Sequence, residues 1–218
     1  MKPFKSALLA AIVAAISVQP TFANLVTSIS GGSVLAIPAA NYFGPGPQSV
    51  TPGVTWSSTN IFNQGGSVFG YTGSYGFNGN GFWDGSMGPI AGVNDSTDAF
   101  GETDTMIFSF NSPVRAVGGF INYVPGSSNP TTIAVWDGNT LLESYNLTFT
   151  TNGGDNQGEF LGFMESTNDI TSFTLTDNYI AITDLTAVPE TTNLSIVALA
   201  FAALAAFGWA SKRQSQQA

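Results

Sequence analysis

Carboxylates provide most of the reactive side chains between the two hydrophobic ends of this 218-residue chain. The chain has no His and no Cys, and Arg115 is the only Lys or Arg between residues 24 and 190. This composition excludes Ser-His-Asp and Cys-His nucleophilic systems and a Lys Schiff base. It also excludes zinc in practice, because zinc sites nearly always use His or Cys. Carboxylates, hydroxyls and one guanidinium remain.

The acidic residues set the charge of the middle part of the chain. All fourteen Asp and Glu lie in residues 24–190, which gives this part a formal charge of −13 against its single Arg. Such a surface repels nucleic acid, so we expect no nucleic-acid partner. Two carboxylates facing each other across a cleft could hydrolyse a glycosidic bond. The acids that could form such a pair are Asp84, Glu102, Glu143, Glu159 and Glu165.

One polar segment concentrates oxygen donors of the kind that Ca²⁺ prefers. The candidate ligands are Asn94, Asp95, Asp98, Glu102 and Asp104, joined by Asp184 from a later strand. Their spacing is not that of an EF-hand loop. A structural Ca²⁺ is therefore the only cofactor that the sequence suggests, and solvated loop acids are the alternative. Arg115 is expected to hold a carboxylate in a bidentate pair, with Asp184 as one candidate partner.

The stretch from residue 62 to residue 85 is rich in glycine and aromatic residues, with eight of the former and seven of the latter. Exposed aromatic rings can stack on sugars, since they combine a large apolar face with few torsions to freeze. On that interpretation Trp83 and Asp84 are the best ligand-binding candidates. The alternative is a tightly turned pair of strands whose aromatic rings fill the core, and the sequence favours it.

These side chains must be positioned by β-strands, because apolar residues recur with period two and helical periodicity is missing. Phe173 and Leu175 alternate with polar residues, as do Tyr145, Leu147 and Phe149, and less regularly Met106, Phe108 and Phe110. Further short strands are expected near 33–37, 54–56, 67–71, 160–164 and 179–185. The pattern from Ile133 to Leu142 predicts a hairpin that turns at Asp137-Gly138, and Gly118-Gly119 predicts a bulge or a bend. We therefore predict a mostly β, antiparallel β-sandwich or jelly roll over residues 24–187.

The N-terminal 23 residues have the features of a secretory signal peptide. Lys2 and Lys5 precede an uncharged apolar run that is short for a membrane span. Thr21-Phe22-Ala23 places small residues at the two positions that a signal peptidase reads, so we expect a signal helix with cleavage after Ala23.

The C-terminal part contains an uncharged apolar run over residues 194–210. As a helix it would measure about 25 Å, enough for a thin membrane. Lys212 and Arg213 follow at once, and this positive charge would keep residues 214–218 in the cytoplasm. The run therefore predicts a transmembrane helix with the β domain outside.

The order of Val188-Pro189-Glu190, apolar helix and Lys212-Arg213 resembles the PEP-CTERM sorting signal of Gram-negative bacteria. The next residue is Thr191, where that signal usually has proline, and the basic cluster has only two residues. The resemblance covers residues 188–213 and implies processing by an exosortase-like enzyme. The β domain loosely resembles the jelly-roll domains that precede such tails.

Taken together, the sequence predicts a non-enzymatic protein of the cell surface or extracellular matrix. Its expected partners are signal peptidase, an exosortase-like enzyme, extracellular polysaccharide and, through the C-terminal helix, the inner membrane. It would be anchored there transiently, with its domain outside, before reaching the surface or being secreted. A carbohydrate-binding module is the first alternative, and a glycoside-active enzyme with two carboxylates is the second.

Overall fold

Short antiparallel strands make up nearly all of the regular structure in the computed structural model, which describes residues 23–61, 65–94, 103–126, 129–177 and 179–189. The strands are β1 (Asn24–Val26), β2 (Ser33–Val34), β3 (Tyr42–Phe43), β4 (Gln48–Thr51), β5 (Val54–Ser58), β6 (Ser67–Tyr71), β7 (Tyr75–Gly76), β8 (Phe82–Trp83), β9 (Ile90–Asn94), β10 (Asp104–Tyr123), β11 (Thr132–Asp137), β12 (Thr140–Asn146), β13 (Glu159–Met164), β14 (Ile170–Asp177) and β15 (Tyr179–Pro189). One 3₁₀ turn spans Asn78–Asn80. The prediction of a mostly β, antiparallel domain is confirmed.

The twenty-residue strand β10 belongs to both halves of a β-sandwich-like fold. Its first half lies between β14 and β5, and β11, β12 and β4 extend this side. Its second half lies between β13 and β15, and β1, β9, β6 and β3 extend that side. The pairing with β14 shifts register between Ser109 and Val114. One irregular strand thus passes from one set of partners to the other.

The buried positions follow the period-two pattern that predicted the strands. In β10, Met106 and Phe108 are fully buried, and in β14 Phe173 and Leu175 are too. These side chains meet in the main hydrophobic core. The hairpin of β11 and β12 is confirmed, and Gly138 in its turn has the positive φ of 55° that glycine tolerates.

Tyr145 faces outward, although alternation with Leu147 and Phe149 predicted it on a buried face. It is 37% exposed near the end of β12, while Leu147 lies beyond that strand and is buried. β12 is an outer strand with β11 as its paired neighbour. The alternation therefore does not continue as one strand past Asn146.

A close approach of β10 and β13 explains the glycines in the middle of β10. Gly118 lies opposite Gly162, and a Cβ added to Gly118 would come within 2.7 Å of the Gly162 Cα. The pairing of β10 with β15 shifts register between Gly118 and Phe120. The predicted bulge is therefore confirmed.

The predicted signal helix and the predicted transmembrane helix at 194–210 lie outside the described residues. Among the residues that are described, the structure contains no helix with the length and apolar character to cross a membrane.

Candidate functional site

Trp83 is a core residue. It is 1% exposed and belongs to a second hydrophobic cluster with Tyr75 and Phe77. Its ring lies edge-on to Phe77 at 4.9 Å and stacks on Phe120 at 6.0 Å. The indole Nε1 donates a hydrogen bond of 2.7 Å to the backbone carbonyl of Gln157. Both the face and the polar edge of this ring are therefore occupied within the protein, which leaves no platform for a sugar.

Asp84 stabilises a local turn at the surface. Its carboxylate accepts a hydrogen bond of 2.9 Å from the backbone N–H of Ser86. Its own backbone N–H donates to the side-chain oxygen of Asn156 at 3.1 Å. Hydrogen bonds from Ser86 lower the pKa of Asp84 below its ordinary value. The geometry accounts for Asp84 as a turn residue.

Of the three predicted calcium ligands that lie in the described residues, the structure brings together two, Asn94 and Asp104. The side-chain amide of Asn60 donates both to the Asn94 carbonyl, at 3.4 Å, and to Asp104 Oδ2, at 2.6 Å. Thr59 donates to the other carboxylate oxygen of Asp104 at 3.1 Å. The carboxylate of Asp104 is therefore already hydrogen-bonded by protein groups.

The remaining predicted calcium ligands do not complete a site among the described residues. Asp95, Asp98 and Glu102 lie outside those residues. Asp184 lies in β15 next to the bulge near Gly119 of β10. Gly119 is fifteen residues after Asp104 in β10, so Asp184 and Asp104 belong to different halves of the fold. Across the described ranges, no three carboxylates are grouped so that they could hold a metal ion.

The strand register separates Arg115 from Asp184, which was one candidate partner for it. Arg115 precedes Ala116, which lies opposite Val188, whereas Asp184 lies four residues before Val188 in β15. Four residues of extended strand span about 13 Å, more than the two side chains can bridge. Asp184 itself is exposed and adopts a positive φ of 49° at the bulge. Its position is explained by the register shift of the strand.

The first two residues of the predicted sorting motif belong to the last strand. Val188 lies opposite Ala116 and Pro189 lies opposite Val114. Val188 is half-buried and Pro189 is exposed. The other motif residues, Glu190, Lys212 and Arg213, lie outside the described residues.

The register of four strands places Asn24, the first residue after the predicted leader, in one row with Val188, the first residue of the predicted sorting motif. Asn24 lies opposite Met164, Met164 opposite Ala116, and Ala116 opposite Val188. Three strand spacings separate Asn24 from Val188, a distance of about 14 Å. Since all three pairings are antiparallel, β1 begins and β15 ends at the same end of the sheet. We call this region, formed by Ala23, Asn24, Val188 and Pro189, the N/C end.

An apolar pocket of about 320 Å³ lies at the N/C end, with Pro189 in its wall. Leu35, Val54, Phe110 and Val114 supply apolar surface to it. The pocket therefore adjoins the end of β15.

Glu165 is a buried acid that the sequence suggests only as one member of a possible carboxylate pair. It is 3% exposed, and neither of its carboxylate oxygens has a hydrogen-bond partner. Burial raises its pKa, and the charges of Asp169 and Glu143 raise it further. Leu161 and Phe163 precede Glu165 at intervals of two residues, and side chains two apart in a strand share one face. This alternation in the sequence could have predicted that Glu165 faces the core.

Comparison with known proteins adds no family to this picture. The chain matches no protein-family model, no curated protein and no solved structure at a significant level.

Proposed function

We propose that this chain is a non-enzymatic protein exported to the cell surface or extracellular matrix. Signal peptidase removes residues 1–23, and residues 24–187 form the exported domain, with strands connected as in a jelly roll. Residues 188–213 act as a PEP-CTERM-like sorting tail whose helix, 194–210, holds the domain transiently outside the inner membrane. An exosortase-like enzyme then releases it.

One observation carries this proposal. The strand that follows the predicted leader and the strand that precedes the predicted anchor meet the N/C end in one row, about 14 Å apart. A domain held by either segment would therefore present the same end to the membrane. Both predicted cuts would fall on the membrane-facing side of the folded domain.

The composition and the core favour a non-enzymatic role. Residues 24–190 contain no His, Cys or Lys. The burial of Trp83 removes the ring on which the carbohydrate-binding alternative depended. Contact with polysaccharide in the matrix would then involve the acidic surface of the domain without a dedicated aromatic site.

Mass spectrometry of the protein recovered from its producing cells tests the proposal. The expected chain begins at Asn24 and ends near Glu190. Pro189→Ala combined with Glu190→Ala should keep the protein in the membrane fraction with its C-terminus intact. The matched control is Thr192→Ala with Asn193→Ala, which alters two residues that follow the third motif position and should release normally.

Two outcomes would contradict the proposal. One is extracellular protein that retains residues 194–210. The other is equal release of both double variants while the melting temperature of each matches the unchanged protein.

A further inference from the structure

Glu165 holds a buried carboxylate without a partner in the described structure. Burial of a charge is strongly unfavourable unless the charge is paired. The backbone of Glu165 is satisfied, because its N–H donates to the Arg115 carbonyl at 2.8 Å. The side chain therefore needs a cation or a proton that the chain as described does not supply.

The strand pattern explains why this carboxylate faces the core. Leu161 and Phe163 of β13 are buried in the main cluster, and side chains two residues apart share one face of a strand. Glu165 continues that face one position beyond the end of β13. Its hydrogen bond to β10 shows that the ladder extends to this residue.

The strand on the other side of β13 brings the predicted leader junction to Glu165. Asn24 lies opposite Met164, so one step further along the same register Ala23 comes opposite Glu165. Residues opposite each other on antiparallel strands have Cβ atoms about 5 Å apart. Ala23 is 5% exposed in the same core cluster. The register thus places the peptide bond joining Ala23 to Asn24 next to the residue that carries the unpartnered carboxylate.

The other charges around Glu165 do not neutralise it. Asp169, in the loop after β13, and Glu143, on β12, are negative and disfavour its ionised form. Arg115, on β10, has an exposed side chain. In the uncleaved chain, the group of β1 nearest to Glu165 is the peptide bond between Ala23 and Asn24, which carries no charge.

We propose that Glu165 is the binding site for the α-ammonium group that leader removal creates on Asn24. The inference rests on the proposed function, because it requires the cut after Ala23. In that cut, water adds across the Ala23–Asn24 bond, Ala23 leaves with a carboxylate, and the amine of Asn24 takes up a proton. Departure of Ala23 opens space beside Glu165, and the new cation pairs with the buried acid. Leader removal therefore supplies the positive charge that the buried carboxylate of Glu165 lacks in the uncleaved chain.

The composition offers a direct assay. Residues 24–190 contain no Lys, so the α-amine of Asn24 is the only primary amine in the domain. Only the unprotonated amine reacts with an N-hydroxysuccinimide ester, and a free α-amine has a pKa of about 7.7 to 8.0. Pairing with a carboxylate raises that pKa, and each unit lowers the reactive fraction at pH 7 about tenfold.

The experiment uses protein recovered after export, with mass spectrometry to identify its first residue and to locate the label. We expect the Asn24 amine to react about tenfold more slowly at pH 7 in the unchanged protein than in Glu165→Gln. Glu159→Gln removes the same charge from an exposed site on the same strand and should leave the rate unchanged. The midpoint of the rate against pH reports the pKa of the amine, whereas the plateau reports its access to the reagent.

Equal midpoints in the unchanged protein and Glu165→Gln would overturn the proposal. If Glu165→Gln does not accumulate, comparison of the native protein with the same protein in urea decides instead, and equal midpoints there overturn it too. A first residue other than Asn24 refutes the predicted cleavage, and the ammonium site with it. A chain that begins at Asn24 but has an ordinary midpoint refutes only the ammonium site.

Discussion

Replacing Trp83 with alanine should remove one of the largest single contributions to the stability of the domain. The side chain is 1% exposed, and truncation of a buried aromatic residue costs about 3 to 5 kcal/mol. This free-energy cost includes the loss of the ring contacts with Phe77 and Phe120. The Gln157 carbonyl keeps a hydrogen bond of 3.0 Å from Asn122, so the substitution leaves no unpaired acceptor. We therefore expect a loss of about 4 kcal/mol, from the cavity and the lost burial.

The neighbouring Phe82 provides a matched control. It precedes Trp83 in the same strand, points to the opposite face and is 39% exposed. Phe82→Ala should cost less than about 1 kcal/mol, as partly exposed substitutions generally do. Trp83→Phe keeps most of the apolar volume but loses the indole hydrogen bond, so its cost should lie between the two, at about 1 to 2 kcal/mol.

Urea unfolding followed by far-ultraviolet circular dichroism measures all three variants without relying on tryptophan fluorescence. A loss of 4 kcal/mol in a domain of this size also corresponds to a fall in melting temperature of about 8 to 16 °C. If Trp83→Ala and Phe82→Ala lost equal stability, the assignment of Trp83 to the core would be refuted. Retention on the producer's polysaccharide that Trp83→Ala abolishes without loss of stability would restore the carbohydrate-binding interpretation.

Two smaller perturbations test other parts of the structure. Gly162→Ala should cost about 1 to 3 kcal/mol in urea unfolding, because its Cβ would lie 2.4 Å from the Val117 carbonyl oxygen; Gly76→Ala, which meets nothing within 4 Å, is the control and should change stability little. Ser86→Ala should raise the pKa of Asp84 toward 3.8 in a carboxyl NMR titration, because it removes the side-chain hydrogen bond from Ser86, the largest of the interactions that lower this pKa, and keeps the backbone hydrogen bond. The stability that the ionised Asp84 contributes is present above that ordinary pKa and is lost as pH falls through the folded-state pKa. An unchanged titration in Ser86→Ala would contradict the hydrogen-bond assignment.

Local sequence patterns predicted those elements whose conformation is decided by neighbouring residues. The hairpin at Asp137-Gly138 needs a residue that tolerates positive φ, and the bulge at Gly118-Gly119 needs backbone without a Cβ. Alternation in β14 places Phe173 and Leu175 on one face whichever strand lies beside them. Each of these features depends on a few consecutive residues, so it can be predicted from the local sequence.

Features that depend on distant partners could not be predicted in the same way. The aromatic stretch contains both Phe82 and Trp83, and adjacent residues in a strand face opposite sides, so the packed partners decide which ring is buried. The unpartnered state of Glu165 and the passage of β10 between two sets of partners likewise depend on pairings between remote segments. Composition alone gave no register for β1 against β13, and that register is what places Asn24 in one row with Val188.

The burial of the last strand bears on how a sorting tail could be processed on a folded domain. Ala187 is 2% exposed, Val188 is half-buried and Pro189 is exposed, so the packing weakens over three residues. Pro189 has no N–H to contribute to the ladder, and strand ends with few buried contacts open locally at little free-energy cost. A processing enzyme that needs residues 188–190 in extended form could therefore detach two residues while Ala187 and the strand before it stay packed. Detachment that reached Leu185, which is fully buried, would disrupt the main core. Ala187, the last buried residue in the described part of the chain, would then mark the boundary between the packed domain and the segment that a processing enzyme could hold.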